Sequence, residues 1–380
     1  MWNERKKAIN KGIDPEEQNK KSDKKGLSKK GLIFRIMNIV VVVGFGAFLV
    51  YYLLGKISIG QIRDAIAGMN KPFLVLGLAV MLVSIFLRAY RKKILVGSER
   101  INMTDMFLVV LVRNAFNMVL PARTGELSYV YVLERKFKFP IEVGISTLAI
   151  VLIFDLVIVF SLIVISIIVV LINKYSGSYL VVVFIALVLL VVLILILLYF
   201  SKVIGFIIKI IEKILKRYRI GKNRAIQVIY KKLIDINKNI EIIQERRIYW
   251  KVSISSIVIR ILKFVAYYIL IYAILRPEGY TFRDLNFWII FLAVEAAEIS
   301  AVLPTHALAG FGTYEGAFLL ILGIFGFTTT GITITALAFG YHTITLAFIV
   351  ILGIIAMIIL SMPFYRVKEN NTGQPLKNKL

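Results

Sequence analysis

Two breaks in otherwise apolar sequence carry most of the side chains that could do chemistry. Val119-Leu120-Pro121 is followed by Arg123, Thr124, Gly125 and Glu126; Val302-Leu303-Pro304 is followed by His306, Gly310, Gly312, Thr313 and Glu315. Proline removes a backbone donor and ends the helix before it. Thr124 and Thr313 can cap the helices that follow, and Glu126 and Glu315 then fall in first turns, where the helix dipole favours a carboxylate. A capping role accounts for each glutamate taken alone. Taken together, the free N–H groups at two helix starts form anion sites, and Gly125, Gly310 and Gly312 let a phosphate approach the backbone. Arg123 adds a side chain able to hold a phosphate through two hydrogen bonds. The ligand this favours is a phospholipid headgroup.

Four further charges lie inside apolar stretches: Arg113, Asp155, Glu295 and Glu298. A charge at the centre of a membrane helix costs roughly 2.5–3.5 kcal/mol on insertion scales, so such residues usually face a cavity and serve function. Glu295 and Glu298, three apart, share one helix face. An internal ion-pair network among these residues is the structural alternative. His306, in the second break, could titrate near neutral pH or be a satisfied polar residue. His342 fits a residue bonded within a helix bundle.

The elements that must position these residues are membrane helices. Of 380 residues 59% are hydrophobic, more than a soluble domain of this size can bury, yet 47 Lys and Arg face 22 Asp and Glu, for a net charge of +25. Spread over a soluble fold, that charge would suggest nucleic acid. Here it is segregated between apolar runs, as topology-setting and headgroup-facing charge would be, so no nucleic-acid partner is expected. The absence of cysteine removes disulfides, thiolate metal sites and Cys nucleophiles. Two histidines far apart in sequence give no basis for a metal site.

Six apolar stretches are read as full spans: 36–55, 72–87 (extended by snorkelling of Arg88, Arg91, Lys92 and Lys93), 143–172, 179–200, 252–275 and 332–360. Residues 1–35 hold eleven Lys and Arg and residues 202–251 hold fourteen against four acids, so both should be cytoplasmic, as should the basic tail. The basic segments 88–100 and 123–138 can share that side only if 103–120 enters and returns, and parity makes 285–327 a second hairpin, entering from outside. The expected fold is an all-α integral membrane protein with six full spans and two re-entrant hairpins. Its expected parts are a basic N-terminal segment 1–30, a membrane domain 31–362 and a cytoplasmic tail 363–380. Within the membrane domain, a first half 72–172 and a second half 252–360 form an inverted repeat around a cytoplasmic loop 202–251. Broken helices at matching positions of inverted halves point to a substrate site at the membrane midplane. The loop reads as two amphipathic helices, the second with a heptad-like seam from Ile226 to Ile243, lying on anionic lipid headgroups or forming a coiled-coil contact.

The stretch Asn114-Ala-Phe-Asn-Met-Val-Leu-Pro-Ala-Arg-Thr-Gly-Glu-Leu127, the later Asp155, and Leu303-Pro304 followed by Gly310-Phe-Gly-Thr-Tyr-Glu-Gly316 resemble a known family. It is the flippase-like family of membrane regions found in bacterial phosphatidylglycerol lysyltransferases and in some archaeal dolichol-phosphate glycosyltransferases. The similarity spans roughly residues 30–362. The family often has Glu-Arg shortly before the Asp, where this chain has Val151-Leu152. The resemblance implies translocation of a modified phospholipid or polyprenyl-phosphate-linked lipid. Only about twenty residues follow the last span, so no transferase domain is expected, and a separate enzyme would modify the lipid. No Walker A motif, cofactor motif or metal cluster is present, and the chain is not expected to be an enzyme. An ion-coupled transporter of a small anion is the first alternative. A membrane-embedded headgroup transferase with Glu126 or Glu315 as general base is the second.

The topology is directly testable because the native chain has no cysteine. A Ser176→Cys variant should react with an impermeant maleimide added outside the cell, and Lys377→Cys should not. External labelling at position 377 would overturn the span count.

Overall fold

The computed structural model describes residues 59–120, 124–174, 199–217, 224–245, 248–301, 308–329 and 333–362, with scattered positions between 184 and 195. Every regular element among them is helical. In chain order these are α1 (Ile59–Ala67), α2 (Lys71–Val96), α3 (Met103–Val119), α4 (Glu126–Arg135), α5 (Ile141–Lys174), α6 (Phe200–Arg217), α7 (Arg224–Glu245), α8 (Tyr249–Leu275), α9 (Phe287–Ser300), α10 (Thr313–Ile324) and α11 (Ile334–Ser361). Four of them, α2, α5, α8 and α11, are long and apolar enough to cross a membrane. The expected spans at 36–55 and 179–200 fall outside the described residues, the first wholly and the second for the greater part.

Polar side chains fix where several helices begin. Asn70, Asn286 and Thr333 accept hydrogen bonds from backbone amides in the first turns of α2, α9 and α11, meeting donors that the helix leaves unpaired. At α3, Asn102 accepts from the Asp105 amide at 2.7 Å and Asp105 accepts in return from the Asn102 amide at 3.2 Å, a reciprocal cap. Asp105 therefore starts α3 and does not interrupt it. Arg113 is the one charge deep in that helix.

Packing sets the pairs. α2 lies along α8, α3 along α11, and α9 along α10; α4 folds back on α3, and α5 touches α2, α4, α8 and α9. Small residues permit the closest approaches, as in membrane bundles generally. A Cβ at Gly353 would lie 2.2 Å from the Ala115 Cβ, at the α11–α3 crossing. A Cβ at Gly125 would lie 2.3 Å from the backbone nitrogen of Asn117, so glycine lets α4 return against α3. Tight helix packing, with no ligand involved, accounts for Gly125. Large apolar side chains such as Val83 and Phe86 on α2, Leu156 on α5 and Ile351 and Ile358 on α11 project outward, as lipid-facing surfaces require.

The long basic loop is a pair of helices, as its periodicity suggests. On α7, Ile236, Ile240 and Ile243 pack with Ile204 of α6 against Leu95, Ile150, Val151, Phe154 and Val252. Much of the expected heptad seam is thus occupied by the chain's own helices. Lys232 Nζ donates to Glu142 Oε1 at 2.8 Å and ties α7 to the start of α5. On α6 the apolar residues divide. Ile204 faces the core, whereas Phe206, Ile207, Ile210 and Ile214 are exposed in a stripe beside Lys202, Lys209 and Lys213.

Candidate functional site

At a rise of 1.5 Å per residue, Arg113 lies ~15 Å into α3, Asp155 ~21 Å into α5, Arg260 ~16 Å into α8, Glu298 ~16 Å into α9, and Arg88 ~12 Å before the end of α2. These levels meet well inside the bundle, where an unpaired charge is costly, and the side chains answer that cost in pairs.

Arg91 donates through Nη1 to Asp155 Oδ1 at 2.5 Å and through Nη2 to Oδ2 at 3.1 Å, a two-pronged contact. Its Nη1 also reaches Ser256 Oγ at 2.6 Å, so one guanidinium joins α2, α5 and α8. Arg113 donates to both oxygens of Glu126, with Nε to Oε2 at 2.7 Å. Asn117 Nδ2 donates to Glu126 Oε1 at 2.9 Å. Arg260 Nη1 lies 3.1 Å from Glu295 and 3.6 Å from Glu298, and Lys263 bonds Glu298. Glu315 is fully buried: Oε2 accepts from the Gly312 amide at 2.7 Å, and Oε1 lies 2.5 Å from His342 Nδ1. Tyr314 stacks on His342 with ring centroids 4.2 Å apart.

These groups surround a cavity of about 140 Å³. That is roughly ten times the 10–15 Å³ a single water requires. Arg88, Arg91, Lys92, Arg113, Arg260 and Lys263 line it together with Asp155 and Glu298. Glu126 and Glu295 stand behind, paired to Arg113 and Arg260. Six basic side chains thus meet four carboxylates paired to them, which leaves two of the six without a carboxylate of their own among the described residues. Neither Arg88 nor Lys92 has a carboxylate within ion-pair distance among the described residues. Lys92, 1% exposed, has its ammonium 3.8 Å from the centroid of the Tyr129 ring and no hydrogen-bond partner.

Of the residues singled out from sequence, Arg113, Asp155 and Glu298 line this cavity, and Glu126, Glu295 and Glu315 sit one contact behind it. Gly310 and Gly312 lie outside its lining. Their backbones have φ of 74° and 90°, a left-handed conformation that glycine tolerates, and the Gly312 amide is already taken by Glu315. Gly312 and Glu315 thereby form a helix cap. Arg123 and His306 lie outside the described residues.

Sequence reasoning passed over five of the eight charged residues on the wall: Arg88, Arg91, Lys92, Arg260 and Lys263. Arg91 and Lys92 were expected to snorkel but are 2% and 1% exposed. Their spacing carried the signal: Arg88, Arg91 and Lys92 follow i, i+3, i+4, Arg260 and Lys263 follow i, i+3, and so do Asn114 and Asn117, so each set shares a helix face. His342 is bonded within the bundle, as expected, but it also lines the cavity. Among the described residues no three His, Asp or Glu side chains cluster as metal ligands.

Removing one partner of a buried pair leaves an uncompensated charge, at a cost of about 3–5 kcal/mol. Arg113→Met should therefore lower thermal stability in detergent sharply. Adding Glu126→Gln should restore most of the loss. A double variant no more stable than the single would show that the pair does not act as a unit.

No curated protein matches the chain. A family description does: the model of the lysylphosphatidylglycerol synthase TM region matches residues 37–353. With that match covering most of an all-helical chain that has several membrane-length apolar helices, the protein belongs to the lysylphosphatidylglycerol synthase TM region family.

Proposed function

We propose that the chain moves a lipid with an anionic phosphate headgroup between the leaflets of the cytoplasmic membrane, leaving its covalent structure intact. The observation that carries this reading is the cavity halfway along the helices, lined by six basic side chains of which two have no carboxylate partner among the described residues. A site of that sign and depth suits a phosphate crossing the hydrophobic layer, and a separate enzyme would make or modify the lipid.

The architecture supports it. α3 and α9 are ~25 Å and ~21 Å long, short of the roughly 30 Å hydrocarbon core, and each is followed by a helix packed back upon it. We read both pairs as re-entrant hairpins and the chain as an inverted repeat with cytoplasmic termini. If α2 to α5 correspond to α8 to α11, nearly every contact has its counterpart: α2–α3 with α8–α9, α4–α5 with α10–α11, α2–α5 with α8–α11, and α3–α11 with α9–α5. The exposed apolar stripe of α6, flanked by lysines, fits a helix lying in anionic headgroups at the cytoplasmic face. In inside-out vesicles, Lys209→Cys should react with a water-soluble maleimide; Ile210→Cys should be shielded, and equal reactivity would remove α6 from the lipid.

Vesicles containing the protein and a fluorescent anionic phospholipid should lose more signal to external dithionite than their outer leaflet contains. Arg88→Gln breaks no ion pair and should slow that loss by roughly tenfold, the weight of a charge-assisted hydrogen bond. Bleaching confined to the outer leaflet would overturn translocation. A new covalent lipid product would favour the transferase, and uptake of a small anion without lipid movement the ion-coupled transporter.

A further inference from the structure

We propose that the cavity is built for a phosphate monoester, a lipid whose terminal phosphate carries two negative charges, in preference to the singly charged diester of an ordinary phospholipid. This rests on the lipid-translocation reading and names the class of its substrate.

Two observations point the same way. The first is charge. Among the described residues, once Asp155, Glu126, Glu295 and Glu298 are matched to their cations, Arg88 and Lys92 remain without one. Glu315 does not pair with either of them, because its oxygens are committed to the Gly312 amide and to His342. A diester phosphate supplies one negative charge and leaves a buried cation uncompensated, whereas a monoester supplies about −1.5 to −2 at neutral pH. The second is hydrogen bonding. Three buried donors on the cavity wall have no partner: Lys92 Nζ, Arg91 Nε and Asn114 Nδ2. Buried polar groups are nearly always satisfied, so orphan donors on residues that line one cavity call for acceptors. A monoester presents three terminal oxygens, and a diester two. An orphan acceptor on a residue of the wall, Asn117 Oδ1, suits a hydroxyl or water beside the phosphate.

The measurement is binding by isothermal titration to the full-length protein in zwitterionic nanodiscs. The probes are dihexanoyl phosphatidate, dihexanoyl phosphatidylglycerol and inorganic phosphate. The two lipids share their tails and differ in esterification of the phosphate. Phosphatidate should bind roughly ten- to a hundredfold tighter than phosphatidylglycerol, the weight of one charge-assisted hydrogen bond. Lys92→Met should bring the two lipids close to parity. Lys92→Arg, which keeps the charge, should retain the preference even if the methionine variant folds poorly. Equal or tighter binding of phosphatidylglycerol to the native protein overturns the monoester assignment and leaves translocation standing. Binding of inorganic phosphate as tightly as phosphatidate keeps the dianion site and overturns the lipid reading. Failure to bind any of the three overturns both.

Discussion

An ionised side chain held well inside an apolar bundle must be compensated within a few ångströms, because no bulk water is there to do it. That constraint organises this molecule. Arg91 cannot leave Asp155 without abandoning Ser256 as well, so α2, α5 and α8 are held in one register by a single guanidinium. Arg113 and Glu126 fasten α4 to α3 at the point where Gly125 lets the two backbones meet. Arg260, between Glu295 and Glu298, fastens α9 to α8. Apolar contacts against lipid contribute little to choosing among helix arrangements, since the solvent is as apolar as the helix faces. Pairing of charges discriminates far more sharply, and it also leaves the polar groups facing a common centre.

The same constraint explains what could be read from the sequence. Apolar runs, the segregation of basic residues and the two Pro–Gly–Glu breaks are local signals, and they located the long helices and the two short pairs. Glu295 and Glu298 could be assigned to one face because helical periodicity depends only on spacing. Partners could not be assigned. Arg91 and Asp155 are 64 residues apart, and Arg260 and Glu295 are 35 apart, so nothing local announces either pair. Arg88, Arg91 and Lys92 were misjudged for a specific reason. They stand near the end of an apolar run, where long basic side chains usually reach for headgroups. The helix continues to Val96, however, and carries Arg91 and Lys92 inward. Likewise, Gly125 and Gly312 read from sequence as openings for a ligand, and each has a nearer cause in packing or in capping.

The cavity differs from a structural salt-bridge network in its imbalance. A network that only joined helices would be most stable when neutral, since each surplus buried charge costs several kcal/mol unless it is paired. Here two basic side chains have no carboxylate partner among the described residues, one of them fully buried against an aromatic ring. Tyr129 offers Lys92 a cation–π contact, worth about 2 kcal/mol when desolvated, which offsets part of that cost while leaving the ammonium's hydrogen-bonding capacity unused. An arrangement of this kind tolerates an empty site and gains when an anion arrives.

Such a site also has to release what it binds. Arg260 is 3.1 Å from one glutamate and 3.6 Å from another, and Lys263 shares the second, so the carboxylates already compete for these cations. Under the proposed function, a departing phosphate would leave Arg260 and Lys263 with Glu295 and Glu298 within pairing distance. Internal carboxylates therefore limit how tightly any anion is held, because each contact the anion makes weakens one already present. A wall of cations alone would bind more strongly and would hold its ligand at the midplane. Under the proposed function, the two basic side chains without a carboxylate partner would draw a phosphate into the hydrophobic layer. The carboxylates paired to the other four would let it go again.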